Sequence, residues 1–271
     1  MGGVAILSRD IVEAYQRDGA VCVRGLFSPE QVAQARRAID AVLATPSELS
    51  IVASRPEDPG RFVEDFCNWR RIPELEDFAR RSPAAAAAGE LMAATTVRLF
   101  HDHILVKEPG THQRTPWHQD QPYYDVDGTQ GCSMWLPVDP VSRASTLELV
   151  AGSHHGPWFL PRTFLDGKAK WFPEGTLAEL PDIDAAREAF PILGWELEPG
   201  DAVFFHFLTL HAAAGVDGPH RRRVLSLRFL GDDMVHAPRP WRTSPPFPGL
   251  EAELPAGAPM NHPLFPMLWR A

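Results

Sequence analysis

Two short stretches of this 271-residue chain gather side chains able to hold a metal ion. In Pro116-Trp117-His118-Gln119-Asp120, an imidazole and a carboxylate stand at i and i+2. On an extended segment that spacing turns both side chains to one face. One more histidine would complete a two-histidine, one-carboxylate set, which leaves open positions on a non-haem Fe(II) ion. The second stretch begins at the Gly200-Asp201 turn and runs through the apolar segment Ala202–Leu208, which contains His206; His211 follows at its end. Either histidine can supply the third ligand, and residue chemistry alone does not choose between them. Arg222 follows His211 by eleven residues, inside Arg221-Arg222-Arg223. Taken singly, His-X-Asp also suits a polar turn, and a histidine at a strand end also suits a structural hydrogen bond.

These groups need a rigid frame, and the sequence predicts one built of antiparallel strands. Thr95–Lys107, Gln130–Val138, Thr146–Val150, Ile192–Leu197, Asp201–Leu208 and Arg223–Leu230 are strand-length runs rich in β-branched and aromatic residues, separated by Gly and Pro. No long helix alternates with them, which excludes a βαβ array. Proline occupies 27 of 271 positions, roughly twice the ordinary share, which excludes an all-α bundle. Ahead of the strands, Ser8 caps a helix that ends at Gly19, Val21–Val23 is strand-like, and Ser28-Pro29-Glu30 opens a second helix. Residues 45–72 read as a turn-rich surface excursion. Pro73–Leu91 is helical, interrupted at Ser82-Pro83, where the serine supplies a cap. The expected organisation is one domain over 1–271: a mainly helical support (1–94), a strand core (95–235) with a lid-like insertion at 152–190 carrying Trp158, Phe159, Trp171 and Phe172, and a Pro-rich wrap (236–271).

Composition narrows the partners. A net charge of −9 argues against nucleic acid or an anionic membrane surface, since both reward a basic face. No apolar run is long enough to span a bilayer. Cys22, Cys67 and Cys132 are odd in number and widely spaced, which argues against a disulfide framework or a structural zinc site. The first residues lack a basic, apolar leader pattern, so a cytoplasmic location is expected.

The order His-X-Asp, about ninety residues, Phe-Phe-His-(x4)-His, and an Arg eleven further on resembles the phytanoyl-CoA dioxygenase family of Fe(II)/2-oxoglutarate oxygenases. Further pieces agree: Lys107-Glu108-Pro109-Gly110, the run from Trp117 to Tyr124, Trp135-Leu136-Pro137, Leu147-Glu148 before Gly152-Ser153-His154, and Gly231-Asp232-Asp233. The resemblance spans roughly residues 10–235. It implies a mostly β fold, a double-stranded β-helix (jelly-roll, cupin-like) core with N-terminal helices packed on one sheet. It implies Fe(II), 2-oxoglutarate and O2 as the reacting partners of a small-molecule substrate, with succinate and CO2 released. His118, Asp120 and His211 become the iron ligands, with His211 chosen over His206 because the family's ligand is the second histidine of the pair. Arg222 becomes the partner of the distal 2-oxoglutarate carboxylate, and Trp135 matches a tryptophan near the cosubstrate.

The arginine assignment also makes physical sense, because a buried carboxylate is costly unless paired and a guanidinium pairs it bidentately. If Arg222 points inward, alternation carries Val224, Ser226 and Arg228 with it and sends Leu225, Leu227 and Phe229 outward. Such an inner face, with two arginines, needs an anionic partner. The family often places a hydroxyl two residues after the last histidine; here that residue is Ala213, and Ser226 is the expected substitute. A carboxylate at Asp120, rather than Ala or Gly, points to hydroxylation instead of halogenation. Candidate substrate contacts are His103, Lys107, Tyr123, Trp158 and Arg228, with Arg143 and Arg162 as further partners for a substrate carboxylate. Two competing readings are a non-catalytic jelly-roll binding protein and a cupin-like metal oxygenase that does not use 2-oxoglutarate.

Overall fold

Helix α1 (Arg9–Asp18) starts where the Ser8 hydroxyl accepts the Ile11 amide, and ends at Gly19, whose φ of 73° is the left-handed turn that glycine adopts without strain. Strand β1 (Ala20–Val23) follows directly. Helix α2 (Pro29–Ala44) opens with a reciprocal capping box between Ser28 and Gln31 and buries Val32, Ala35, Ala38, Ile39 and Val42. The computed structural model describes residues 5–161, 175–216 and 219–271. Trp171, Phe172 and Arg162, with part of the expected insertion, lie outside the described residues.

Residues 45–72 depart from the expected excursion. They contain β2 (Ile51–Val52) and β3 (Phe62–Phe66), which join the main sheet. The sequence Phe-Val-Glu-Asp-Phe hid this strand because its acidic residues are buried. Asp65 accepts the Ser47 amide at 2.9 Å and the Asn68 side-chain amide at 3.0 Å, while Glu64 faces a cavity. Helices α3 (Pro73–Arg81) and α4 (Ala84–Met92) are separated at Ser82-Pro83, but the serine makes no capping bond and Pro83 takes the N-cap position.

The remaining strands are β4 (Thr96–Lys107), β5 (Thr115–His118), β6 (Val126–Asp127), β7 (Gly131–Pro137), β8 (Leu147–Val150), β9 (Ile192–Leu193), β10 (Ala202–His206), β11 (His211–Ala213), β12 (Arg222–Leu230) and β13 (Val235–His236). Helix α5 (Leu250–Glu253) and β14 (Met267–Arg270) complete the chain. The larger sheet has the order β1-β10-β7-β12-β4-β3-β2, with β14 also on β4, and the smaller has the order β5-β11-β8-β9. All these pairings are antiparallel.

Strand β12 sets the layers. Leu225, Leu227 and Phe229 join Ile104, Met134, Leu136 and Phe204 in the core beneath α1–α4. On its other face Arg222, Val224 and Arg228 line a cavity that also meets His118 and His211 of the smaller sheet. Two antiparallel sheets around a central cavity, with helices on one outer face, form the expected double-stranded β-helix.

Candidate active site

His118 ends β5 and His211 begins β11, and the two residues are direct partners in the β5–β11 pairing. The register alone brings together side chains distant in sequence. His118 Nδ1 lies 2.8 Å from the Pro116 carbonyl and His211 Nδ1 lies 2.9 Å from the Thr209 carbonyl. A carbonyl can only accept, so each Nδ1 carries the proton and each Nε2 presents its lone pair. Asp120 enters from the loop after β5, fixed by its amide donating to the Phe207 carbonyl at 2.8 Å. Its Oδ1 lies 3.8 Å from His118 Nε2 and 3.6 Å from His211 Nε2. The ligand atoms of all three residues fall within 4.8 Å of one another.

The donor set fits Fe(II): two imidazoles oriented through Nδ1 and one buried carboxylate. Burial acts to raise the Asp120 carboxyl, yet Arg228, His211 and His118 together hold it below the usual carboxylate range. Its second oxygen, Oδ2, accepts the Ser133 hydroxyl at 2.7 Å and lies 3.2 Å from Arg228 Nε. His211 is pulled down by burial, which favours the neutral, ligating form. His206 lies outside this cluster. Its Nε2 is 2.7 Å from the Thr129 carbonyl and its Nδ1 accepts the Leu208 amide at 3.0 Å. Both its ring nitrogens are engaged in structure.

The cavity beside the cluster has a volume of about 390 Å³, within the range of small-molecule sites. Arg222 lines it, buried, with its guanidinium 5.6 Å from the centre of the Trp135 ring. One Nη1 donates to the Ser145 carbonyl, while Nε has no partner among the described residues. Burial draws the Arg222 guanidinium down to about 10. Lys107 faces it across the β12–β4 register. The lysine ammonium donates to the Gln113 and Ala214 carbonyls at 2.8 and 3.0 Å, and it is drawn well down, first by burial and then by Arg222. Neither cation has a carboxylate within ion-pair distance among the described residues. A buried guanidinium in this position calls for an anion.

The other expected contacts divide. His103 and Tyr123 line the cavity; Lys107, Ser226 and Trp158 do not. Ser226 is taken up between the Met134 carbonyl and Arg228, and Trp158 packs under Arg239. Arg143 pairs with Glu148 at 2.9 Å. Arg228 lines the cavity but is committed to Asp120. Three polar groups were missed by the sequence reading. Thr115, opposite Ala213 in the β5–β11 register, lines the cavity, and its hydroxyl accepts from Lys107 Nζ at 3.4 Å. Glu64 lies 3.2 Å from His103 Nε2. Ser133 grips Asp120 from β7. The only signal for Ser133 is that a serine interrupts an otherwise apolar strand.

A double-stranded β-helix with His-X-Asp and a distant histidine at one end of its cavity defines the class of non-haem iron oxygenases. The sequence profile described as Phytanoyl-CoA dioxygenase (PhyH) matches residues 15–224, and the chain belongs to that family. It is a 2-oxoglutarate-dependent non-haem iron dioxygenase, acting with Fe(II), 2-oxoglutarate and O2. A protein of Caenorhabditis elegans described as a probable phytanoyl-CoA dioxygenase is 22% identical over 251 residues, covering 85% of this chain and 77% of that one. The solved structure of SnoK, a non-heme alpha-ketoglutarate-dependent carbocyclase from nogalamycin biosynthesis, is similar with a TM-score of 0.76 at 22% identity, covering 99% of this chain and all 100% of that one. EctD from S. alaskensis, solved with 2-oxoglutarate and 5-hydroxyectoine, gives a TM-score of 0.70 at 20% identity, covering 96% of this chain and 87% of that one. Among the described residues, no helix is long and apolar enough to cross a membrane.

Proposed function

We propose that His118, Asp120 and His211 hold the Fe(II), that Arg222 pairs with the distal carboxylate of 2-oxoglutarate, and that the enzyme hydroxylates a small molecule at an unactivated C–H bond. The observation that carries this reading is the coexistence, in one cavity, of the three convergent ligand atoms and a buried arginine whose Nε lacks a partner among the described residues. Bound Fe(II), with 2-oxoglutarate and O2, supplies an oxidant able to attack such a bond, with succinate and CO2 as coproducts.

The chain's own contributions are placement and exclusion. The Pro116 and Thr209 carbonyls hold the imidazoles in the ligating tautomer. Trp135 gives Arg222 a flat face to lie against, Lys107 braces the wall beside it through the Gln113 and Ala214 carbonyls, and Thr115 offers the hydroxyl that Ala213 lacks. Phe205, Leu147 and Val224 keep water from the inner end.

Substrate binds toward β3 and the tail, where Glu64, His103 and Tyr123 form a polar patch among Phe66, Leu105, Pro245 and Pro246. Ile51, at 46% exposure, gives the rim an apolar lip. This lining suits a largely apolar metabolite carrying a hydrogen-bond donor for the Glu64 carboxylate. The three unpaired cysteines suit a reducing compartment such as the cytoplasm.

The reading is tested by anaerobic Fe(II) titration and by succinate formation across a panel of candidate metabolites. His118→Ala, Asp120→Ala and His211→Ala should each lose tight Fe(II) binding, while His206→Ala keeps it. A normal His211→Ala protein beside a metal-free His206→Ala protein would reverse the ligand assignment. Turnover by Arg222→Ala without any need for 2-oxoglutarate would favour a cupin-type oxygenase instead.

A further inference from the structure

We infer that Ser133, by a hydrogen bond, and Arg228, by an ion pair, clamp Oδ2 of Asp120, which restricts this residue to a single ligating oxygen and so keeps open a coordination position that 2-oxoglutarate needs. The inference rests on the proposed role of Asp120 as a ligand.

The clamp is built by sheet register. Arg228 on β12 and Ser133 on β7 are direct cross-strand partners, both buried. Together they reach a carboxylate that arrives from the loop after β5, on the smaller sheet. Ser133 Oγ donates to Oδ2 at 2.7 Å and Arg228 Nε lies 3.2 Å from the same oxygen. Arg228 has no other carboxylate within ion-pair distance among the described residues. Its hydrogen bonds hold it in place: Nε donates to the Tyr124 hydroxyl at 3.1 Å, and one Nη donates to Ser226. The Ser226 hydroxyl in turn donates to the Met134 carbonyl on β7.

The division of the carboxylate follows. Oδ1 faces the two histidine Nε2 atoms at 3.8 and 3.6 Å, while Oδ2 is turned into the large sheet, hydrogen-bonded by Ser133 and ion-paired with Arg228. A carboxylate can bind a metal through one oxygen or two. Two-oxygen binding here would require Oδ2 to give up a buried, charge-assisted contact, which is among the stronger polar interactions in a protein. Fe(II) held by these three side chains would need its remaining positions for 2-oxoglutarate and O2. A second oxygen from Asp120 would remove one. Arg228 is therefore a positioning residue, acting through Asp120 rather than on substrate.

The test compares Arg228→Gln, Arg228→Lys and Ser133→Ala with the unsubstituted protein, each checked for folding by circular dichroism and thermal melting. Two readouts are independent of turnover: the visible d–d absorption of the Co(II)-loaded protein, which reports coordination number, and 2-oxoglutarate affinity from the charge-transfer absorption of the Fe(II) protein under nitrogen. Arg228→Gln is expected to alter the Co(II) spectrum and weaken 2-oxoglutarate binding at saturating metal by about 10–100-fold. Ser133→Ala should shift both in the same direction by less, and it carries the test if Arg228→Gln fails to fold. Arg228→Lys, which keeps charge but loses the planar fork, should restore part of the affinity. A folded Arg228→Gln protein, or a folded Ser133→Ala protein in its place, with unchanged Co(II) spectrum and 2-oxoglutarate affinity would overturn the clamp. Tight metal binding by Asp120→Ala would instead overturn the ligand assignment on which it rests.

Discussion

Arg222 and Arg228 stand six residues apart on one face of one strand, yet their surroundings give them different work. Arg228 meets a carboxylate of its own chain, and Arg222 meets none among the described residues. In the proposed reading that contrast leaves Arg222 for the distal carboxylate of 2-oxoglutarate. Arg222→Ala should cost 2-oxoglutarate binding about 2–5 kcal/mol, the usual penalty for truncating one side of a buried charge pair. Arg222→Lys should recover only part, because an ammonium cannot reproduce the bidentate fork; 2-oxoglutarate titration of the Fe(II) protein measures both. Glu64→Gln is expected to leave that titration unchanged while raising the substrate concentration needed for half-maximal succinate formation. A parallel loss of 2-oxoglutarate affinity would show that Glu64 belongs to the cosubstrate end. The motif residues were legible because metal ligation demands particular side-chain types at particular spacings. Glu64 and Thr115 were not, since nothing in a lone glutamate or threonine says which strand will lie opposite it.

At the scale of elements, alternation along β12 was readable because strand geometry fixes every second side chain to one side. The same reasoning failed for β3, whose buried Glu64 and Asp65 break the apolar pattern that normally betrays a strand. His206, at the end of β10, shows how an element end can mimic a ligand. Its imidazole is drawn down from 6.5 to about 4, first by burial, which outweighs the Thr129 carbonyl that acts to raise it. Above pH 6.5 it is neutral in folded and unfolded chains alike and contributes no pH dependence. As pH falls from 6.5 toward 4, the unfolded chain takes up a proton that the folded protein resists, so stability is lost, on the order of 2 kcal/mol by pH 5. His206→Gln should flatten this part of the stability profile, measured as the difference in urea unfolding free energy between pH 7 and pH 5 in the two proteins.

For the molecule as a whole, the Pro-rich tail is more than a covering. Strand β14 pairs with β4, and Arg242, Pro245 and Pro246 form part of the cavity wall. Phe265 is fully buried, 5.4 Å from Phe100 between ring centres. Phe265→Ala should therefore destabilise the fold by about 3–5 kcal/mol, read from chemical denaturation, which an external wrap would not do. The helical layer is likewise tied to the sheets: Arg223, pointing away from the cavity, pairs with Asp139 at 2.7 Å and with Asp40 of α2 at 3.0 Å.

By itself the sequence determined the strand-rich class, the His-X-Asp pair, the arginine on an inward face and, through its resemblance, the family. Those features depend on residue type and on local periodicity, which a linear text contains. The fold kept His206 apart from the cluster of His118, Asp120 and His211, took Ser226 up between Met134 and Arg228, brought Thr115 and Glu64 to the cavity wall, and gave Arg228 a carboxylate that Arg222 lacks among the described residues. Each of those outcomes turns on which strands pair and in what register, and that is settled by packing over the whole chain.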